Sequence, residues 1–327
     1  PGSSEERMAE AWLANEVRLE EAYDRLAEWA DRGYKAASGV ETFYEAAPGS
    51  EALDDAVATT IFNAWYGRFL GRVFDDEGFP GSMWFPTGDS GRQRTITRMV
   101  LGRGEGNPEG MASYNPDTQE SAFFDVLGTD AVETSDELML LAMVDGLDFL
   151  EGEPDGPGEG GFGTADMDQW IWGYRHWVTF ESILAEFLGN DPTFAPIIEP
   201  FSITPERLPL MDGLSKDDPR DDMPGFPRHG DHLNVDAGNS GSNGRRFSYG
   251  SGPVFRMAIR LSPSGAEGVN ILPGGQSGLN DSTHFDDQAM LWLGNEAWPM
   301  RFTVDEVVEG ATGRETYTPK GEPGALP

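Results

Sequence analysis

The chain has no cysteine among its 327 residues, only three lysines and four histidines, and no long apolar run. Without thiols there is no cysteine nucleophile, no thiolate-held metal and no disulfide, and the compartment stays open on this count. No run of ~18 apolar residues is present to span a bilayer. Lys35, Lys216 and Lys320 are the three lysines, so nearly all positive charge is arginine, the composition of a GC-rich or salt-adapted source. Positive charge is itself scarce, with 23 Lys plus Arg against 57 Asp plus Glu and a formal net charge of −34. Such a surface repels nucleic acid and anionic membranes and suits a cationic partner or a saline setting. The start, Pro1-Gly2-Ser3-Ser4, carries neither an initiator methionine nor a signal-peptide pattern and reads as processed or truncated.

What is present is enough for a packed protein. Apolar residues make up 38% of the chain, with 19 Phe and 9 Trp, which excludes disorder throughout, and the length suits one large domain or two ordinary ones. Ser3-x-x-Glu6 has the form of a capping box, and Trp12, Leu19, Tyr23, Leu26 and Ala30 follow at helical spacing until Gly33. Ser50 reads as the cap of a second helix with the stripe Leu53, Val57, Ile61, Trp65, Phe69 and Val73. Long connections follow, with one helix expected over Arg92 to Leu101. Thr134-x-x-Glu137 caps a third helix, whose Leu140, Met143, Val144, Leu147 and Leu150 should face a core. Asp166 to Leu184 reads as helical or mixed, ended by Gly-Asn-Asp-Pro at 189–192, and Pro196 to Pro227 as an acidic, proline-rich excursion.

The last quarter changes character. Val254 to Leu261 alternates, with Phe255, Met257, Ile259 and Leu261 on one side and Arg256 and Arg260 on the other, which predicts a strand with one buried face. It should pair with Val269 to Leu272 across the turn Ser262-Pro263-Ser264-Gly265. Pro273 and the glycines Gly274, Gly275 and Gly278 stop the second strand. From His284 the spacing of Phe285, Gln288, Ala289 and Trp292 becomes helical. Trp298 to Phe302 is extended again, and Thr303-x-x-Glu306 caps a final helix.

Four of these elements occur together in one order: the Gly252-Pro253-x-Phe255-Arg256 strand, the turn Gly274-Gly275-Gln276-Ser277-Gly278, His284-Phe285-x-Asp287-Gln288, and Trp298-x-Met300-x-Phe302. In that combination the chain resembles the end of the large β chain of the penicillin acylase family, N-terminal-nucleophile amidohydrolases. Trp170-x-Trp172-Gly173-x-x-His176 is a second, weaker match. The resemblance implies an α+β fold, part of an αββα sandwich, with a helical region over 1–190, the excursion over 191–227, core sheet strands and helix over 228–310 and a tail over 311–327. It implies cleavage of N-acyl amides through an acyl-enzyme on an N-terminal serine, in a periplasmic or extracellular setting. It supplies no cofactor for this chain and leaves room for calcium in the complete enzyme. In the family the nucleophile, the oxyanion asparagine and the calcium ligands all precede the helical region, so none falls on a position here. The expected partners are preceding segments or subunits of the same acylase and a small N-acyl amide, with no nucleic acid and no membrane span. A non-catalytic scaffold or assembly protein built on the acylase fold is the alternative.

Ser3 opens a charged helix, not a β-strand, and is preceded by two residues, so it does not fit an N-terminal nucleophile. His229, Asp231, His232 and Asp236 form the densest set of potential metal ligands, without a third anchoring segment; a free-standing metal hydrolase on His229, Asp231 and His232 is a third reading. Glu151 to Glu159 lacks calcium-loop spacing and reads as a solvated loop. The Gly274 to Gly278 turn is followed by no lysine and does not frame Ser277 as a nucleophile elbow. His284, Asp287 and Gln288 are expected to lock that turn by hydrogen bonds, and His176 to be a packed histidine bonded to backbone.

Overall fold

A computed structural model describes residues 2–40, 49–76, 89–101, 114–115, 117–156, 158–205, 223–234, 238, 246–250, 252, 254–309 and 311–313. The chain divides into two compact units, residues 1–253 and 254–327.

The first unit is built on helices. Helix α1 spans Ser4–Asp31, and its capping box forms as the sequence predicts: Glu6 N donates to Ser3 Oγ at 3.2 Å and Ser3 N to Glu6 Oε2 at 2.9 Å. Its buried residues are Leu19, Ala22 and Trp29, whereas Tyr23 is 67% exposed. The buried stripe therefore runs through the neighbour of the predicted tyrosine. After α1 the chain reverses through Gly33 and Tyr34, both at positive φ. Helix α2, Ser50–Phe74, has Gly49 at its N-cap with no side-chain cap bond, so Ser50 is the first helical residue and not the predicted cap.

Val57, Ile61, Phe69 and Val73 of α2 are buried, and burial extends around the helix because α1 and helix α4, Ser135–Glu151, both pack against it. Two core clusters divide along α2. One holds Leu19, Val57, Ile61, Leu147, Trp170 and Trp172; the other holds Phe69, Phe74, Leu138, Ala142 and Phe124, with Ile96 and Met99 of helix α3, Asp89–Leu101. Gly146 sits at the α2–α4 contact, where an added Cβ would lie 3.2 Å from Trp65 N. Thr134 caps α4 by accepting from Glu137 N at 3.2 Å, as predicted. The Glu137 carboxylate takes Ser4 Oγ at 2.8 Å and Arg7 Nε at 2.5 Å, which ties the start of α1 to the start of α4.

Short elements complete this unit. Strands β1, Tyr114–Asn115, and β2, Glu120–Ser121, form an antiparallel pair. The segment 166–184 departs from the helical reading: it folds as two 3₁₀ turns, Met167–Gln169 and Trp172–Tyr174, followed by strand β3, Trp177–Val178. The reason lies in the side chains, since Trp170 and Trp172 are both fully buried and a two-residue spacing cannot put both on one face of a regular α-helix. Strand β4, Phe226–Pro227, pairs antiparallel with β3. Between them lie the short helices α5, Ala185–Leu188, and α6, Ala195–Ile198, and a 3₁₀ turn at Glu199–Phe201. Within the excursion, residues 206–222 lie outside the described residues.

The second unit is a three-stranded antiparallel sheet in the order β5-β6-β7. Strands β5, Arg256–Ser262, and β6, Gly265–Ile271, pair across the predicted turn, from Arg256 opposite Ile271 to Ser262 opposite Gly265, with β6 starting earlier than the predicted Val269 and β7, Trp298–Pro299, beside it. Gly265 turns the hairpin at φ 136, an angle closed to most residues. The buried face expected on β5 is not buried: Met257, Ile259 and Leu261 are 54%, 43% and 81% exposed. Among the described residues nothing is laid over that side of the hairpin. Burial falls instead at the other end of the sheet, on Ile271, Ala289, Trp292 and Leu293, where the Arg256 guanidinium lies 3.8 Å from the Trp292 ring centroid. Helix α7 is short, Ala289–Leu293, so His284 to Gln288 precede it as turns and do not start it. Helix α8, Val304–Glu309, carries the predicted capping box, with Thr303 N to Glu306 Oε2 at 2.9 Å and the return bond at 3.2 Å. The chain is thus α+β, helices with small antiparallel sheets.

Candidate functional site

The signature residues of the second unit converge on one turn. The backbone leaves β6 at Ile271, and Leu272 N donates to Gln288 Oε1 at 3.2 Å, while Gln288 N returns a bond to Gly274 O at 2.9 Å. Gln288 is buried, so the side-chain and backbone bonds clamp the two segments from within. Ser277 N donates to His284 O at 2.9 Å, and Ser277 Oγ accepts from Leu279 N at 3.1 Å. Gly275 lies so close to the second segment that an added Cβ would meet His284 O at 2.1 Å and Asp287 Oδ1 at 2.8 Å. His284 Nδ1 sits 2.8 Å from Asp287 Oδ2. Gln276 and Gly278 are exposed.

The arrangement contains a His–Asp pair beside a serine, but not the geometry of nucleophilic attack. Ser277 Oγ is oriented by the backbone of Leu279, and the His284 ring is turned to Asp287 at the surface, 72% exposed. General-base activation needs the nucleophile within hydrogen-bond reach of the base.

In the first unit the weaker signature segment forms a buried aromatic centre. His176 is fully buried, with its ring stacked on Trp172 at 4.8 Å and 23° and tilted against Tyr249 at 5.5 Å. Its Nδ1 lies 2.6 Å from Phe247 O, the backbone bond predicted for a packed histidine. Nε2 is buried with no hydrogen-bond partner among the described residues. Burial pushes the imidazole down to about 4; the Phe247 carbonyl opposes this, and the nearby charges of Arg228 and His229 add to it. His176 is therefore neutral near pH 7. Two backbone bonds, Arg228 N to His176 O at 2.9 Å and Tyr249 N to Trp177 O at 3.2 Å, and one from a side chain, Trp172 Nε1 to Gly230 O at 2.8 Å, hold the surrounding segments. Gly158 permits the close approach, since a Cβ there would meet the Trp177 ring at 2.8 Å. Buried Arg228, Phe247 and Gly158 were not singled out in the sequence; Arg228 precedes His229 directly, but nothing in its spacing signals burial.

The potential metal ligands are used elsewhere. Asp231 is buried and closes its own turn, with Oδ1 accepting from Leu233 N at 2.8 Å and Asn234 N at 3.2 Å, and Oδ2 from Asn63 Nδ2 at 3.1 Å. His232 Nε2 meets the side-chain amide of Gln93 on α3. Asp236 lies outside the described residues. Among the described residues no group of three or more His, Asp or Glu side chains is placed to hold a metal ion. The Glu151 to Glu159 stretch is a tight turn, with Asp155 N bonded to Glu159 O at 3.0 Å and Glu153 to Gly156 exposed. No helix among the described residues is long and apolar enough to cross a membrane.

The motif residues of the second unit thus fold into a hydrogen-bonded turn, and those of the first into a buried aromatic centre. The sequence as a whole matches the family model described as penicillin amidase over residues 3–309. The chain belongs to the penicillin amidase family, a family of acylase-type amidohydrolases. No curated protein matches it.

Proposed function

We propose that this chain is a structural portion of a penicillin-acylase-like amidohydrolase that cleaves N-acyl amides, with the nucleophilic serine outside the 327 residues. Family membership over residues 3–309 supports the amidohydrolase. The placement of the nucleophile rests on Ser3. An N-terminal serine nucleophile needs its own free α-amine as base, whereas Ser3 N is an amide bonded to Glu6 Oε2 and Ser3 Oγ caps α1. In the proposed reaction the distant serine hydroxyl adds to the amide carbonyl and its α-amine takes the proton. The collapsing intermediate expels the amine leaving group, which receives that proton, and water then hydrolyses the ester to the free acid.

This chain contributes scaffold to that reaction. The Gly274–Gly278 turn, His284, Asp287 and Gln288 serve as a hydrogen-bonded lock, and the β5–β6 hairpin is one edge of a larger αββα sandwich. The exposed apolar row Met257, Ile259 and Leu261 supports that reading, because an apolar stripe on an exposed strand is the kind of surface that further strands or helices cover. Preceding polypeptide of the same particle is the proposed cover, with calcium held there and the whole enzyme periplasmic or extracellular.

The test is hydrolysis of chromogenic phenylacetyl and long-chain acyl amides by the natural particle, after intact-mass and N-terminal sequencing of every polypeptide that co-purifies. A partner that begins with serine, activity in the mixture and unchanged activity in Ser3→Ala support the proposal. A folded chain that purifies alone and hydrolyses neither amide replaces it with the non-catalytic scaffold.

A further inference from the structure

Between residues 179–181, which follow β3, and the helices α5 and α6 lies a groove of about 640 Å³, within the range of small-ligand sites, roughly 300 to 1,000 Å³. Its wall is preformed. Ile203 N donates to Phe180 O at 2.8 Å and Ser182 N to Ser202 Oγ at 2.9 Å, which fixes the strand against the returning chain. Phe180, Ile198 and Ile203 give it apolar surface, the two isoleucines being buried. Three further lining residues, Glu181, Glu186 and Glu199, are exposed carboxylates. No lysine or arginine occurs anywhere from residue 176 to residue 206, so this segment supplies no cation of its own to neutralise them.

We propose that this groove binds a small amphiphilic organic cation, an ammonium carried on an alkyl or aryl body. The apolar wall takes the body and the three glutamates take the charge, a pairing that neither an anionic nor a purely polar ligand satisfies. A second hollow of about 510 Å³ beside α1 shows why acidity alone is not the criterion. It is also rich in carboxylates, but Arg25 and Arg32 stand in it, already bonded to Asp168 at 2.7 Å and to Asp55 at 2.7 Å, and Val17 is its only apolar residue. That hollow carries its own counter-charges, whereas the described residues that line the groove at α5–α6 include no lysine or arginine.

The experiment is isothermal titration of the full chain with octyltrimethylammonium, octyl glucoside and octyl sulfate, each below its micelle concentration, at low and moderate salt. The expected result is one cation per chain, bound at least about tenfold more tightly than the neutral amphiphile, with the preference falling as salt rises. The triple variant Glu181→Gln, Glu186→Gln, Glu199→Gln changes only exposed side chains and should bring the two affinities together. Absence of binding, equal affinity for the charged and neutral ligands, or a cation preference that survives in the triple variant overturns the proposal; the last would assign the attraction to the acidic surface at large.

Discussion

His176 offers the sharpest energetic prediction. Its imidazole is fully buried and its pKa is pushed from the ordinary 6.5 to about 4, chiefly by burial. A folded-state pKa below the unfolded one means that the unfolded chain binds the proton more readily, so stability falls as pH drops through the window from 6.5 to 4. With those two values the loss from this one group between pH 7 and pH 5 is about 2 kcal/mol, approaching about 3 kcal/mol below pH 4. Carboxylates lose stabilisation at the acid end too, so the comparison must isolate the ring. His176→Asn keeps an amide donor at the position of Nδ1 for Phe247 O and cannot titrate; its absolute stability will be lower, but its dependence on pH should be flatter. Urea unfolding of both proteins at pH 7, 6 and 5 measures this directly. The gap between them should shrink by about 2 kcal/mol on going from pH 7 to pH 5. A gap that stays constant would mean that the buried ring is not a suppressed titrating group and would refute the reasoning.

Three further outcomes follow from the packing. Gly275→Ala places a methyl 2.1 Å from His284 O, backbone that cannot swing away, and should destabilise the second unit by about 1 to 3 kcal/mol, seen as an earlier transition in thermal unfolding; an unchanged transition would show that the turn relaxes freely. Burial pushes the Glu137 carboxyl up, but hydrogen bonds from Arg7 and Ser4 outweigh it and hold the group below its ordinary value. Its stabilisation is therefore present above the usual carboxylate range and lost as pH falls beneath it, and Glu137→Gln should cost about 1 to 3 kcal/mol at pH 7, discounted because Arg7 is partly exposed. Arg256→Ala removes a guanidinium that lies over Trp292 and donates to Trp292 O at 3.1 Å and Asn295 Oδ1 at 2.5 Å; the expected readout is a red-shifted, more quenchable tryptophan emission and a loss of about 1 to 2 kcal/mol.

How far the residues announce this structure depends on whether a pattern is local. The capping boxes at Ser3 and Thr303, the Thr134 cap and the hairpin through Gly265 are written within a few residues, and each forms where it is written. Tyr23 and Ala22 differ by one position, and only the packing of α1 on its neighbours decides which is buried. The segment around Trp170 and Trp172 misleads because two buried aromatic residues two apart do not share one face of a regular α-helix, and the chain buries both through 3₁₀ turns. Phe247 and Arg228 reach His176 from far along the sequence, a placement that no spacing predicts. The apolar row on β5 has the opposite character: its alternation is legible, but the burial that alternation predicts does not occur among the described residues. The Gly274–Gly278 turn is legible as a breaker, whereas its bonds to His284 and Gln288 depend on the return of the chain before α7.

The most direct measurement is to trap the acyl-enzyme. The natural particle is quenched during turnover of an activated acyl ester, digested, and searched by mass spectrometry for a serine carrying the acyl mass. An adduct on the N-terminal serine of a polypeptide other than these 327 residues is the predicted result. An adduct on Ser3, Ser277 or any other residue of this chain would contradict the scaffold role and place the chemistry here.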